Sequence, residues 1–137
     1  MNPSDTYTIL VVDDHPLFRK GVIQLIQATP EFRFVGEAPS GKEGIQLAQH
    51  LHPDMILLDL NMKDMNGLET LRTMRDLEID ARIILITVSD APEDLIAALQ
   101  AGADGYLLKD MEPEDLMQKL VEAAHGKITI SERLTQL

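Results

Sequence analysis

Met55-Ile56-Leu57-Leu58-Asp59-Leu60-Asn61 is the stretch on which the fold turns. An unbroken apolar run is what a strand covered on both faces requires, and this one stops on a carboxylate. The same figure stands earlier, where Ile9-Leu10-Val11-Val12 runs into Asp13-Asp14, and later, where Ile83-Ile84-Leu85-Ile86 runs into Thr87. Tyr106-Leu107-Leu108 ends on Lys109, and Phe34-Val35 with its neighbours supplies a shorter, more polar run.

Helical patterns separate these runs. Pro16 suits a first helical turn, and Phe18, Val22, Leu25 and Ile26 follow at helical spacing. Ser40 and Glu43 form a capping box ahead of Gly44, Leu47, Ala48 and Leu51. Asn66 and Glu69 cap a third helix whose Leu68 and Leu71 face inward. Asp90, Pro92 and Glu93 open a fourth that carries Leu95 and Leu99 and stops at Gly102. Pro113 opens a fifth, which runs through Leu116, Leu120, Ala123 and Ala124 to Gly126.

Strands and helices in alternation predict an α/β fold: a doubly wound, five-stranded parallel sheet with helices on both faces. The most apolar runs, 9–12, 55–58 and 83–86, belong at its centre, and 34–38 and 105–108 at its edges. The flavodoxin-like order 2-1-3-4-5 has that property. Residues 1–7 read as a flexible N-terminus and 8–126 as the domain. In 127–137, Ile128-Thr129-Ile130 is a brief apolar stretch, and Ser131 reads as the N-cap of a helix cut short by the chain end. That segment is expected to begin a linker toward a further domain.

A chain of 137 residues fits one such domain. It has no cysteine, which excludes disulfides and thiolate metal sites and suits a reducing, cytoplasmic setting. No apolar run approaches the ~18 residues of a membrane span, and the first residues lack the pattern of a signal peptide. The formal net charge is -11, which repels phosphate backbones and anionic headgroups. Direct nucleic-acid or membrane binding by this chain is therefore not expected, whereas a cation or a basic partner is favoured.

Parallel strands put all their carboxyl ends on one edge, where open α/β sheets build sites. Asp13, Asp14, Asp59, Thr87 and Lys109 should converge there. Three close carboxylates repel, so either some hold protons or a cation sits among them. A hard divalent ion with oxygen ligands resolves the conflict, and magnesium is the default choice. It would take oxygens from Asp14 and Asp59 and a carbonyl near Asn61, with Asp13 acting directly or through water. An aspartate beside such an ion can be a nucleophile toward phosphorus, with Lys109 and Thr87 as partners for phosphoryl oxygens. Each residue also has a plainer reading: Asp13-Asp14 as a solvated turn, Asp59 as a strand-end cap, Thr87 as a β-former, Lys109 as surface and Tyr106 as a packed edge aromatic. His15, His50, His52 and His125 show no metal spacing and read as surface or cap residues.

The runs Val11-Val12-Asp13-Asp14-His15-Pro16, Leu57-Leu58-Asp59-Leu60-Asn61-Met62, Thr87-Val88-Ser89 and Gly102 to Lys109 resemble the receiver domains of bacterial two-component response regulators, over roughly Thr8 to Ser131. Asp-Asp-His-Pro and Gly-Ala-Asp-Gly-Tyr-Leu-Leu-Lys are similar to the NarL/FixJ subgroup. Residues 61–71 and 109–116 resemble its nitrate/nitrite regulators. The resemblance implies the CheY-like version of the fold and a phosphorylation-dependent switch in transcription regulation. Asp59 would be the phosphoacceptor, served by a sensor histidine kinase. Asp13, Asp14, Asp59 and Asn61 would hold magnesium, and Lys109 would pair with the phosphoryl oxygens. Thr87 and Tyr106 would be the switch pair. The implied partners are the kinase, a C-terminal DNA-binding domain and a homodimer formed on phosphorylation, with no enzymatic turnover beyond the domain's own phosphorylation and dephosphorylation. The fourth helix and fifth strand, with Leu95, Leu99 and Tyr106, are the candidate output face. The first helix, with Arg19-Lys20, is the candidate kinase-docking face.

Two positions depart from the family pattern: Lys63 and Asp110 stand where many receivers have proline. Without proline at 110, a cis bond would cost roughly 3 kcal/mol, so a trans peptide is expected and the placement of Lys109 is open. An aspartyl phosphatase of the haloacid-dehalogenase type would want its nucleophile after the first strand, in an Asp-x-Asp pattern. A flavin binder would want stacking aromatics, and this chain has no Trp and 2 Tyr. A degenerate receiver would lack phosphorylation residues that are all present here.

Overall fold

A computed structural model describes residues 6–135. Its elements run β1(Tyr7–Val12), α1(Pro16–Gln27), β2(Phe32–Ala38), α2(Gly41–Leu51), β3(Met55–Asp59), α3(Gly67–Asp76), β4(Arg82–Thr87), α4(Pro92–Gln100), β5(Gly105–Leu108), α5(Pro113–Ala124), β6(Thr129–Ile130) and α6(Glu132–Thr135). All strand pairs are parallel, in the order β2-β1-β3-β4-β5-β6.

Alternation of side chains along each strand divides the core in two. Leu10, Val12, Ile56, Leu58, Ile83 and Leu85 face a layer that includes Ala48, Leu71, Met74 and Ala98, from α2, α3 and α4. Ile9, Val11, Met55, Leu57, Ile84 and Ile86 face Val22 and Ile26 of α1 and Leu116 and Leu120 of α5. The continuous apolar runs are thus explained by burial on both faces. Local signals start and stop the helices. Ser40 Oγ accepts from the Glu43 N–H and Asn66 Oδ1 from the Glu69 N–H. Pro16, Pro92 and Pro113 sit in first turns, and Gly102 and Gly126 follow helix ends at φ 101° and 98°.

The sheet differs from the five-stranded expectation at its far side. β5 is not an edge: Gly105 pairs with Thr129 and Tyr106 with Ile130, so β6 makes a sixth strand. Thr129 and Ile130, inside the 127–137 stretch expected to begin a linker, are therefore part of the sheet. β1 likewise starts at Tyr7, inside the stretch expected to be flexible; residues 1–5 of that stretch lie outside the described residues. Among the described residues, no helix is long and apolar enough to cross a membrane.

Ser131 precedes α6 as expected, but its hydroxyl does not cap it. β6 is too short to pair the last β5 amide, and Ser131 Oγ accepts from the Leu108 N–H instead, at 2.9 Å in a buried setting. Ser131→Ala is expected to orphan that N–H and cost about 1–3 kcal/mol, lowering the urea midpoint, while Ser131→Thr keeps most of the stability. An unchanged midpoint in the alanine variant would show that water takes over the bond.

Candidate functional site

The register brings the strand-end residues to one rim. Val12 pairs with Leu58, Asp59 with Ile86 and Thr87 with Leu108. Asp13 follows β1, Asp59 and Thr87 end β3 and β4, and Lys109 follows β5. Asp13 and Asp59 are buried.

Each of the three carboxylates has one oxygen committed and one not. Asp13 Oδ1 accepts from the His15 N–H at 2.7 Å, Asp14 Oδ2 from the Lys63 N–H at 3.1 Å, and Asp59 Oδ1 from the Asn61 N–H at 3.1 Å. Asp13 Oδ2, Asp14 Oδ1 and Asp59 Oδ2 are buried without a hydrogen bond. Lys109 Nζ lies 3.0 Å from Asp13 Oδ2 and 3.4 Å from Asp59 Oδ1, at ion-pairing distance, and rests 4.6 Å above the Phe18 ring. One ammonium cannot neutralise three acids. Several buried, unbonded oxygens are a donor set compatible with a hard divalent cation such as magnesium.

Burial first, and the Asp13 charge second, push the Asp59 carboxyl above its ordinary range. The Asn61 N–H, Lys109 and His15 pull it back only in part. A carboxyl raised in this way needs added positive charge to act as a nucleophile.

His15, read from sequence as a surface or cap residue, does occupy the N-cap position of α1, but without a side-chain cap bond. Its ring turns into the acidic cluster. Nδ1 is 3.1 Å from Asp13 Oδ1 and 3.3 Å from both Asp14 Oδ1 and Asp59 Oδ2. One donor atom each from Asp13, Asp14, His15 and Asp59 falls within a span of 4.8 Å. The sequence signal is adjacency: a histidine held between Asp14 and Pro16 has little freedom to leave the strand end.

Thr87 and Tyr106 are joined through Ser89. Thr87 Oγ1 donates to Asn61 Oδ1 at 2.7 Å and accepts from the Ser89 N–H at 3.0 Å. Tyr106 OH donates to the Ser89 carbonyl at 3.0 Å. Burial, ahead of smaller effects, raises the Tyr106 phenol, which keeps it a donor. The ring is fully buried, so Tyr106 is no part of an exposed output face in this state, while Leu95 and Leu99 are half-buried on α4. β6 pairs along the side of β5 that an edge strand would leave open, and the Tyr106 ring lies in the core layer that includes Leu85 and Ala98.

Arg19 is likewise not a free docking charge. It pairs with Glu37 at 2.7 Å and donates to the Asp13 carbonyl at 2.6 Å, which leaves Lys20 and Leu17 exposed on that helix. The two departures from the family pattern have local explanations. Lys63 supplies the N–H that Asp14 accepts, which proline could not do. Asp110 receives Arg133 at 2.8 Å. No cis peptide occurs among the described residues, and Lys109 reaches the cluster all the same.

A profile described as the response regulator receiver domain matches residues 9–121. The chain is 54% identical to the nitrate/nitrite response regulator protein NarL of Escherichia coli K12, over 98% of this chain and 62% of that protein. It is 48% identical to the nitrate/nitrite response regulator protein NarP of the same organism, over 99% and 63%. It thus spans less than two thirds of either relative. Among solved structures, the signal receiver domain of the putative response regulator NarL from Mycobacterium tuberculosis superposes with a TM-score of 0.86 at 35% identity, covering 90% of this chain and 99% of that one.

Proposed function

This chain belongs to the response regulator receiver domain family, a family of signalling domains, and on that premise we propose that Asp59 accepts a phosphoryl group from a phosphohistidine of a sensor kinase. The observation that carries the reading is the pairing of a fully buried Asp59, whose Oδ2 has no hydrogen bond, with Lys109 Nζ 3.4 Å from its other oxygen. Asp59 attacks phosphorus in line with the leaving imidazole. An O–P bond forms, the N–P bond breaks, and the released nitrogen takes a proton from solvent. Lys109 binds a phosphoryl oxygen as it leaves Asp13. Asp13, Asp14, Asp59 and Asn61 would hold magnesium, which supplies charge neutralisation between the carboxylates and the incoming phosphoryl oxygens.

Phosphorylation adds a charge of about -1.5 to -2 at pH 7, and its oxygens need donors. Thr87 offers a buried hydroxyl on the same rim, and turning it away from Asn61 breaks its bond with the Ser89 N–H. Ser89 also holds Tyr106, so the aromatic and the α4 face respond together. A coupling of ~1–3 kcal/mol is the usual scale of such a switch. The output is control of a DNA-binding domain beyond residue 137 and a homodimer formed on phosphorylation, with residues 127–137 leading toward that domain. The kinase docks at α1, where Leu17, Phe18, Leu25 and Leu116 line a 380 Å³ groove that also reaches Lys109. The likeness to nitrate/nitrite regulators makes that response the signal we assign, in a cytoplasmic protein that also catalyses its own dephosphorylation.

Intact mass after exposure to acetyl phosphate is the test. With magnesium, the protein is expected to gain one phosphoryl group on the peptide that contains Asp59, and none after chelation. Uptake on a histidine, or uptake indifferent to the chelator, overturns the reading.

A further inference from the structure

Resting on the reading of the acidic cluster as a divalent-cation site, we infer that His15 Nδ1 is itself a ligand of that cation. The site then takes first-row ions that accept imidazole, manganese among them, ahead of magnesium. The geometry is set before any ion binds. Pro16 fixes the first turn of α1, and the His15 N–H donates to Asp13 Oδ1 at 2.7 Å. From there Nδ1 stands 3.1 Å from Asp13 Oδ1 and 3.3 Å from both Asp14 Oδ1 and Asp59 Oδ2. In a six-coordinate shell with bonds of about 2.0–2.2 Å, adjacent donors lie roughly 2.8–3.1 Å apart. Nδ1 thus neighbours three carboxylates at nearly the spacing that donors adopt around one ion.

Nδ1 can donate to Asp13 Oδ1 or accept from Lys109 Nζ, but no single protonation of the ring serves all of its neighbours. Nδ1 is also 3.1 Å from Lys109 Nζ, which can only donate, while the three carboxylate oxygens can only accept. A hydrogen on Nδ1 opposes the ammonium, and a lone pair there opposes the oxygens. Two of those oxygens, Asp14 Oδ1 and Asp59 Oδ2, are buried with no hydrogen bond at all. A divalent ion meets the nitrogen lone pair and the oxygens together. An all-oxygen set suits magnesium; one imidazole nitrogen moves the preference toward first-row metals, whose affinity for such ligands rises from manganese onward.

Manganese is the probe, because pulsed electron paramagnetic resonance reads a coordinated nitrogen directly. The full chain loaded with Mn2+ is expected to show nitrogen-14 modulation that disappears in His15→Ala. By calorimetric titration, wild type should bind Mn2+ more tightly than Mg2+. His15→Ala should weaken Mn2+ by roughly 10-fold or more, with a smaller change for Mg2+, since losing even a residue that only orients a ligand costs that much. The His15 side chain makes no cap bond and is 56% exposed, so the variant should fold, which a single cooperative urea transition checks. Absence of the modulation in wild type, or Mn2+ binding by His15→Ala as tight as or tighter than wild type, overturns the inference. If neither ion binds wild type, the cation-site reading falls with it; if both ions bind both proteins alike, only the role of His15 falls.

Discussion

Asp59→Asn is expected to abolish phosphoryl uptake from acetyl phosphate entirely and, in the absence of metal, to raise the melting temperature. The first effect follows from chemistry, because an amide oxygen is a poor nucleophile and the other buried acid, Asp13, has its unbonded Oδ2 taken by Lys109 Nζ at 3.0 Å, whereas Asp59 meets Lys109 through Oδ1 at 3.4 Å and leaves Oδ2 open. The second follows from the raised carboxyl. Burial and Asp13 favour its neutral form in the folded protein. A group raised on folding stabilises fully below its unfolded value, and that contribution is lost as pH rises through the folded value. Metal-free wild type should therefore lose stability on going from acid toward neutral pH, and the asparagine variant should lose less. Removing an uncompensated buried charge is worth about 1–3 kcal/mol, or roughly 4–12 °C for a domain of this size. Excess magnesium should narrow the gap, because binding stabilises only the protein that binds. Melting curves at several pH values, with and without magnesium, check all three statements. A variant that melts lower than wild type without metal would mean that the Asp59 charge is already balanced.

Gly67→Ala should be the most damaging small substitution near the site. Gly67 opens α3 directly after the Asn66 cap, and its N–H donates to the Leu60 carbonyl at 2.8 Å. A Cβ there would lie 2.3 Å from the Asp59 carbonyl oxygen and 2.6 Å from Leu60 Cα. Both are backbone atoms, so no side chain can turn aside to make room. Over-packing of this kind costs about 1–3 kcal/mol or more, and relief must come from moving the segment that carries Asp59 and Asn61. The expected result is a lower denaturant midpoint together with a large loss of phosphorylation rate at saturating donor. Gly21→Ala is the control, since nothing lies within 4 Å of its added methyl. Equal behaviour of the two variants would rule out the close approach.

Much of the site is legible in the sequence because strand ends are local features. Four apolar runs each stop on a polar residue, and parallel pairing obliges those residues to share a rim, so the order of the runs alone groups Asp13, Asp59, Thr87 and Lys109. Spacing undervalues His15, because its role depends on where its ring turns. Gly67 carries no signal beyond its cap, since what it avoids is the Asp59 carbonyl eight positions away. Sequence pattern sets Tyr106 and Arg19 on exposed faces for the same reason: their partners, Ser89, Glu37 and the Asp13 carbonyl, come from other elements.

By itself the sequence determined the alternation of strands and helices, the parallel double-sided sheet, the helix caps and the gathering of acids at its carboxyl edge. All of these follow from periodicity, capping chemistry and the shared direction of the strands. Three features needed the closed fold: the sixth strand at Thr129-Ile130, the bond from the Leu108 amide to Ser131, and the entry of the His15 ring into the acidic cluster. A two-residue strand has no period to detect, and a side chain's choice among distant partners is made by packing and unpaired polar groups that exist only once the chain has closed on itself.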